Sequence, residues 1–233
     1  MAHLISPWLD FWNTSNWHVN ARHKDVYYRQ VAQDIARYVP SRSAHVLDYG
    51  SGEALHADVV AAAAGKVLLC EAAPRVRTTI ARRFANNPKL QVVVPEEVER
   101  LPQHSLDLIV LHSVTQYLTP WEAKTLLALF HRLLDRRGIL IVSDVITPAD
   151  SSITDATALL RLGAANGFLI AACAGLARIR LSEYWRLRTR LGLTRYDEAT
   201  MIEKLGAEGF LAYRANKNIG YNQARMTFVA RPR

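Results

Sequence analysis

The 233 residues carry 29 Lys and Arg against 21 Asp and Glu, a net charge of +8 at neutral pH, and 50% of them are hydrophobic. That length and apolar content exclude global disorder and suit one core with decoration, while the two cysteines, Cys70 and Cys173, exclude a disulfide framework and fit a reducing compartment. The positive balance permits attraction to anions, but the arginines are dispersed and no aromatic-plus-basic tract appears, so no specific nucleic-acid partner is expected.

The opening stretch, MAHLISPWLDFWNTSN, lacks the basic start and apolar centre of a secretory signal, and the expected location is cytoplasmic. Val26, Tyr27, Val31, Ile35 and Ala36 then recur at helical spacing until Pro40 stops the run, so residues 1–40 are read as an N-terminal helical lid. Beyond Pro40 the rhythm changes. Short apolar runs at His45–Tyr49, Lys66–Cys70, Gln91–Val94, Leu106–Leu111 and Gly138–Val145 predict strands. Helical stretches at Asp58–Ala64, Arg75–Ala85 and Trp121–Leu134 separate them. Such alternation builds a parallel sheet with helices on both faces, and near-continuous apolarity in LDLIVL and ILIV fits inner strands.

After Pro148 the alternation breaks, and residues 150–196 read as two or three helices without a strand. A helix over Tyr196–Gly209 and strands at Leu211–Ala215 and Met226–Ala230 follow. The connector KNIGYNQAR is too short for a crossover helix, so that last pair is predicted antiparallel. The expected fold is α/β: a doubly wound, mostly parallel, seven-stranded Rossmann-like sheet with a terminal antiparallel strand and a helical insertion.

One loop carries the chemistry. HVLDYGSGEALHAD ends a strand on Asp48 and Tyr49, places Gly50 and Gly52 at alternate positions, and enters a helix near Leu55. Glycines there let backbone approach a ligand, and a helix N-terminus favours polar or anionic groups. Leu55 stands where a dinucleotide fingerprint needs its third glycine, and Asp48 would repel a pyrophosphate. The acid suits a cationic or ammonium-bearing ligand instead.

With its strand, acid, G-x-G and small Ala54, this loop resembles the first motif of class I S-adenosylmethionine-dependent methyltransferases. The resemblance covers roughly residues 40–148. It implies S-adenosylmethionine as cofactor, a binding domain formed by residues 41–149 and 197–233, and 150–196 as an inserted substrate lid. By the same resemblance Asp48, Gly50 and Gly52 hold the donor, and Glu71 at the end of the second strand accepts from ribose hydroxyls. Glu97 and Val98 lie beside adenine, with Glu96 a rival, and His112 and Ser113 line the methyl-donor pocket. The turn LLDRRG before the fifth strand also fits.

Ligands of doubly wound sheets sit at the carboxyl ends of strands. Candidate acceptor groups there are Gln116 and Tyr117 after the fourth strand, Asp144 near the end of the fifth, and Asn218, Tyr221 and Asn222 between the last two. His112 is the best-placed histidine for a near-neutral base, against the plainer role of shaping the pocket. In TSNWHVNARHKDVYYRQ, a tyrosine or Arg22 could meet the donor's carboxylate, or the segment could be a solvated helix with Tyr27 packed inside. His18 and His23 are five apart, off one helical face, and no metal is expected.

The insertion joins an apolar stretch to an arginine-rich one. It offers a hydrophobic pocket, a packed interface, or a peripheral membrane contact through 158–190. Stepping Arg178, Arg180, Arg186, Arg188 and Arg190 by about 100° scatters them, which argues against a membrane-surface helix. The expected activity is methyl transfer to a small, hydrophobic molecule. The alternatives are a nucleic-acid or protein methyltransferase, although His112-Ser-Val-Thr lacks the N/D-P-P-Y/F tetrapeptide, and a non-catalytic cofactor-binding scaffold.

Overall fold

Strands β1 (His45–Tyr49), β2 (Lys66–Cys70), β3 (Leu90–Val93), β4 (Leu106–His112) and β5 (Leu134–Val145) run parallel, because a helix returns the chain between each successive pair. Those helices are α3 (Ala57–Ala63), α4 (Pro74–Arg83), α5 (Pro95–Glu99) and α6 (Pro120–Leu133). Strands β6 (Phe210–Arg214) and β7 (Met226–Pro232) close the sheet, with β7 antiparallel to both neighbours in the order β3-β2-β1-β4-β5-β7-β6. The seven-stranded, mostly parallel expectation stands.

The computed structural model describes residues 6–14, 18–179 and 182–233. Residues 1–5 and 15–17 of the expected N-terminal lid, and Arg180, lie outside the described residues. The N-terminal part contributes α1 (Ser6–Thr14) and α2 (Ala21–Ala36). The insertion folds as α7 (Ser152–Ala165), α8 (Leu169–Ile179) and α9 (Glu183–Leu191), and α10 (Glu198–Ala207) leads into β6. No helix among the described residues is long and apolar enough to cross a membrane.

Pleating splits the core between two faces. Leu47, Ile109, Leu140, Val142 and Phe228 pack with Phe130 of α6 and Leu205 of α10. Val46, Val67, Val110 and Ile141 pack with Ile35 of α2, Val60 of α3 and Ile80 of α4. Phe130 is completely buried, and its truncation to alanine would cost about 3–5 kcal/mol. Local chemistry sets the entry of α6. Glu122 N donates to Thr119 Oγ1 at 3.2 Å, Thr119 N donates to Glu122 Oε2 at 2.7 Å, and Pro120 takes the first helical position.

Two irregularities in β5 escaped the sequence reading. Leu106 pairs with Leu134 and Leu108 with Ile139, so the expected turn LLDRRG is a bulge inside a longer strand. At the other end Val142 pairs with Phe228 but Val145 with Met226, so Ser143 and Asp144 bulge against β7. Asp144 adopts a φ of 60° there. Bulges re-aim side chains, and this one sits at the carboxyl edge of the sheet.

Candidate functional site

A cavity of about 1030 Å³ opens over the carboxyl ends of β1, β2, β4 and β5. Helices α1 and α2 wall one side, and α7, α8 and α9 wall the other. The β1–α3 loop forms part of its floor. Gly50 N and Ser51 N both donate to Cys70 O, at 2.8 and 3.1 Å, which ties the loop to the end of β2. Gly50 and Gly52 have φ of 78° and 57°. A Cβ on Gly50 would lie 2.5 Å from Val114 Cγ2, and one on Gly52 would lie 2.8 Å from the Tyr28 hydroxyl. Only glycine combines that backbone with that closeness. Helix α3 starts at Ala57, one residue before the expected stretch Asp58–Ala64 and two after Leu55.

Carboxylates surround this loop. Glu71, at the end of β2, accepts from Gly52 N at 3.0 Å and from Ala73 N at 2.7 Å, leaving one further lone pair on each oxygen. Burial raises its pKa against those bonds. Asp48 is half-buried and lines the cavity. Burial first, and then the Glu71 charge, pushes it up to about 7. Ser51 Oγ is buried with no hydrogen-bond partner among the described residues. Helix α2 covers the loop: the Tyr28 hydroxyl accepts from Glu53 N at 3.0 Å, and Lys24 pairs with the Glu53 carboxylate.

A second group gathers where β4 and β5 end. His112 Nδ1 lies 2.9 Å from Ser143 Oγ, and its Nε2 lies 3.1 Å from the Tyr27 hydroxyl. Burial lowers the His112 pKa, although Asp144 and Asp34 pull the other way, so the ring is neutral at pH 7. Ser113, at φ 58°, donates to Asp144 Oδ2 at 2.8 Å and receives Gln116 Nε2 at 3.1 Å. Two adjacent strand ends in strained backbone mark a place where geometry outranks local stability.

Opposite the glycine loop the walls turn aromatic. Tyr117 sits 4.7 Å from Trp8 and 5.6 Å from Trp12 between ring centroids, and Phe11 sits 5.7 Å from Tyr184 of α9. Below them Arg225 Nη2 donates to Asp155 Oδ1 at 2.7 Å, and its Nη1 stands 3.6 Å from Asp144 Oδ2. Burial opposes its charge, but Asp144 and Asp155 outweigh that and hold it protonated. The insertion is thereby fastened to the sheet through α7.

Residues 47–142 match the family model described as a methyltransferase domain. That stretch of the chain carries a methyltransferase domain. Among curated proteins no sequence matches the chain. Its fold is similar to magnesium protoporphyrin IX methyltransferase from Synechocystis PCC 6803 with bound SAH: TM-score 0.60, 16% identity, 98% of this chain and 94% of that one. Human N-acetylserotonin methyltransferase in complex with SAM gives TM-score 0.55 and 13% identity over 88% of this chain and 51% of that one. The Burkholderia thailandensis 1,6-didemethyltoxoflavin-N1-methyltransferase gives 0.55 and 16% over 88% and 77%. The chain spans about half the length of the human enzyme and of the pyocyanin biosynthetic protein PhzM, 51% and 55%.

The residues present fit the donor of this methyltransferase class. A buried unpartnered hydroxyl, a backbone floor kept open by two glycines, and an aspartate that a cation would ionise all face one cavity. Asp48, Gly50, Gly52, Glu71, His112, Ser113, Tyr117, Asp144 and Tyr221 line it together. Glu97, Val98 and Asn218 do not. Glu97 is the third residue of α5, and its carboxylate accepts from Val94 N at 2.8 Å. Val98 is fully buried in the core, whereas Val94, Pro95, Glu96 and Glu99 reach the cavity. Asn218 Oδ1 accepts from Asp144 N at 3.1 Å and from Thr227 Oγ1 at 2.8 Å, so it pins the bulge rather than meeting a ligand.

The N-terminal segment divides in the same way. Tyr27 and Tyr28 face the cavity, but Arg22 turns outward and donates to Asn166 O. Burial holds His18 at about 3 and His23 at about 4, so both belong to a neutral aromatic wall. Asp155, Arg188, Tyr184 and Arg225 were missed. Asp155 could have been flagged as the only acid between Ser151 and Ser182.

Proposed function

We propose that this domain transfers a methyl group from S-adenosylmethionine to a small, apolar, ring-bearing acceptor. One observation carries the reading: a single cavity has a glycine-and-carboxylate end and an aromatic end. Its roughly 1030 Å³ meets the upper limit of ordinary ligand pockets, about 300–1,000 Å³, which leaves room for two molecules.

When bound, S-adenosylmethionine supplies an electrophilic methyl on a sulfonium centre. Glu71 accepts from ribose hydroxyls with its remaining lone pairs, and Glu96 stands on the adenine side. Asp48, ionised by an adjacent cation, fixes the charged end. Tyr117, Trp12, Phe11 and Tyr184 hold the acceptor ring and exclude water, so the reacting atoms meet in line.

His112 is held for proton transfer. With its proton on Nδ1, donated to Ser143 Oγ, its Nε2 accepts from the Tyr27 hydroxyl. Tyr27 takes a proton from the acceptor as it passes its own to Nε2, and Asp144 raises the proton affinity of the ring. Both His112 nitrogens are engaged, so Tyr27 is the group that meets the acceptor. Helices α1, α2 and α7 to α9 act as the lid.

The test is transfer of labelled methyl from S-adenosylmethionine to size-fractionated cell extract. Label in the small, solvent-extractable fraction is expected. Label confined to nucleic acid or protein would overturn the acceptor assignment.

A further inference from the structure

Residues 162–177, LGAANGFLIAACAGLA, contain no charged side chain, and no acid occurs from residue 156 to 182. In the structure they form the tip of the α7–α8 hairpin. Phe168 and Ala172 are buried and anchor it, and Gly163 lets the helices touch, since a Cβ there would lie 3.1 Å from Ala172 Cβ. The outer side is bare. Ile170 is 87% exposed and Leu169 44%. Cys173, Ala174 and Ala177 continue the same face of α8, and Ala164, Ala165 and Gly167 extend it across the turn, all exposed.

Arginines ring this tip. Arg161 on α7 is exposed at one end of the uncharged run, Arg22 donates from Nε to Asn166 O at the turn itself, and Arg178 at the other end turns its Nη2 to Val19 O at 3.2 Å. The objection drawn from scattered arginines fails on the structure. Arg178 ends α8, whereas Arg186, Arg188 and Arg190 lie on the separate helix α9, and Arg188 turns inward to Asp155 at 3.4 Å. A projection that treats them as one helix mixes two surfaces.

We propose that the α7–α8 tip docks on an anionic phospholipid bilayer. Leu169 and Ile170 enter the boundary between headgroups and acyl chains while Arg22 and Arg161 meet phosphates. Charge complementarity selects this occupant over a second copy of the chain. A two-fold self-contact would bring one set of arginines against another, and the hairpin from residue 156 to 182 holds no acid to pair them. The inner faces of these helices line the cavity through Ala156, Leu159, Gly175 and Leu176. Docking therefore places the wall of the cavity at the lipid surface. The surface stands independently of the acceptor assignment, and its test reads lipid binding rather than turnover.

The test is co-sedimentation of the full chain with vesicles of phosphatidylcholine alone or with roughly 30% phosphatidylglycerol, at low and high salt. Binding to the anionic vesicles, weakened by salt and absent on phosphatidylcholine, is expected. The exposed double variant Leu169→Ser/Ile170→Ser should lose at least tenfold in partitioning while keeping wild-type S-adenosylmethionine affinity, and Arg161→Glu should lose severalfold. No retention on anionic vesicles, or retention unchanged in the double variant, overturns the proposal. So does a wild-type dimer in sedimentation equilibrium that the double variant dissolves, because a second copy would then cover the face.

Discussion

Asp48→Asn separates what this site costs from what it does. In the unfolded chain Asp48 ionises near the ordinary 3.8, but in the folded, unliganded protein it holds its proton to about 7. The folded state therefore binds more protons between those values, and stability falls as pH rises through that window. The rise from 3.8 to about 7 corresponds to about 4 kcal/mol. Asp48 opens into the cavity, where solvent screens it, so about 2 kcal/mol is a fairer figure. At pH 8 the variant should be more stable than wild type by that amount, a rise in Tm of roughly 4–8 °C for a chain of this size. At pH 5 the gap should narrow, because folded Asp48 is protonated there and only the unfolded chain still releases the proton; it closes below 3.8. Donor binding should move the other way, weakened about 10–100-fold by loss of a charge-assisted contact. Thermal unfolding at both pH values and calorimetry with S-adenosylmethionine check both. A variant less stable than wild type at pH 8, or one that binds the donor as well, would refute the reasoning.

Glu71→Gln should weaken donor binding about tenfold by calorimetry, since one carboxylate oxygen becomes a donor facing Gly52 N or Ala73 N. Gly50→Ala should lower Tm by roughly 5–10 °C, because φ 78° and the Val114 methyl 2.5 Å away both oppose a Cβ. Tyr27→Phe should lower kcat about 10–100-fold with donor affinity unchanged. In wild type the acid limb of the kcat profile should lie below pH 6.5, because burial lowers the His112 pKa; a limb at or above 6.5 counts against His112 as the proton acceptor.

The strand–helix alternation and the glycine loop were legible because each depends on a few adjacent residues. Pleating makes LDLIVL apolar on both faces, and G-x-G after an acid has few other uses. Features that depend on distant pairing were not legible. The Ser143–Asp144 bulge exists because β7, more than eighty residues later, sets one residue, Thr227, against these two of β5. The Arg225–Asp155 bridge joins residues 70 apart in the chain. Glu97 is an intermediate case. Pro95 opens α5, which makes Glu97 its third residue, and a glutamate there turns back to cap the helix. That logic was available in the sequence and would have favoured Glu96.

The central claim is that the cavity at the carboxyl ends of β1 and β2 holds S-adenosylmethionine. Calorimetric titration of the wild-type protein at pH 6, where Asp48 holds its proton in the free protein, tests it most directly. The account predicts micromolar binding of S-adenosylmethionine and of its demethylated product, with proton release detectable as a heat that varies with buffer ionisation enthalpy, because Asp48 loses its proton as a cation arrives. Absence of binding, or binding of NADH in its place, would contradict it.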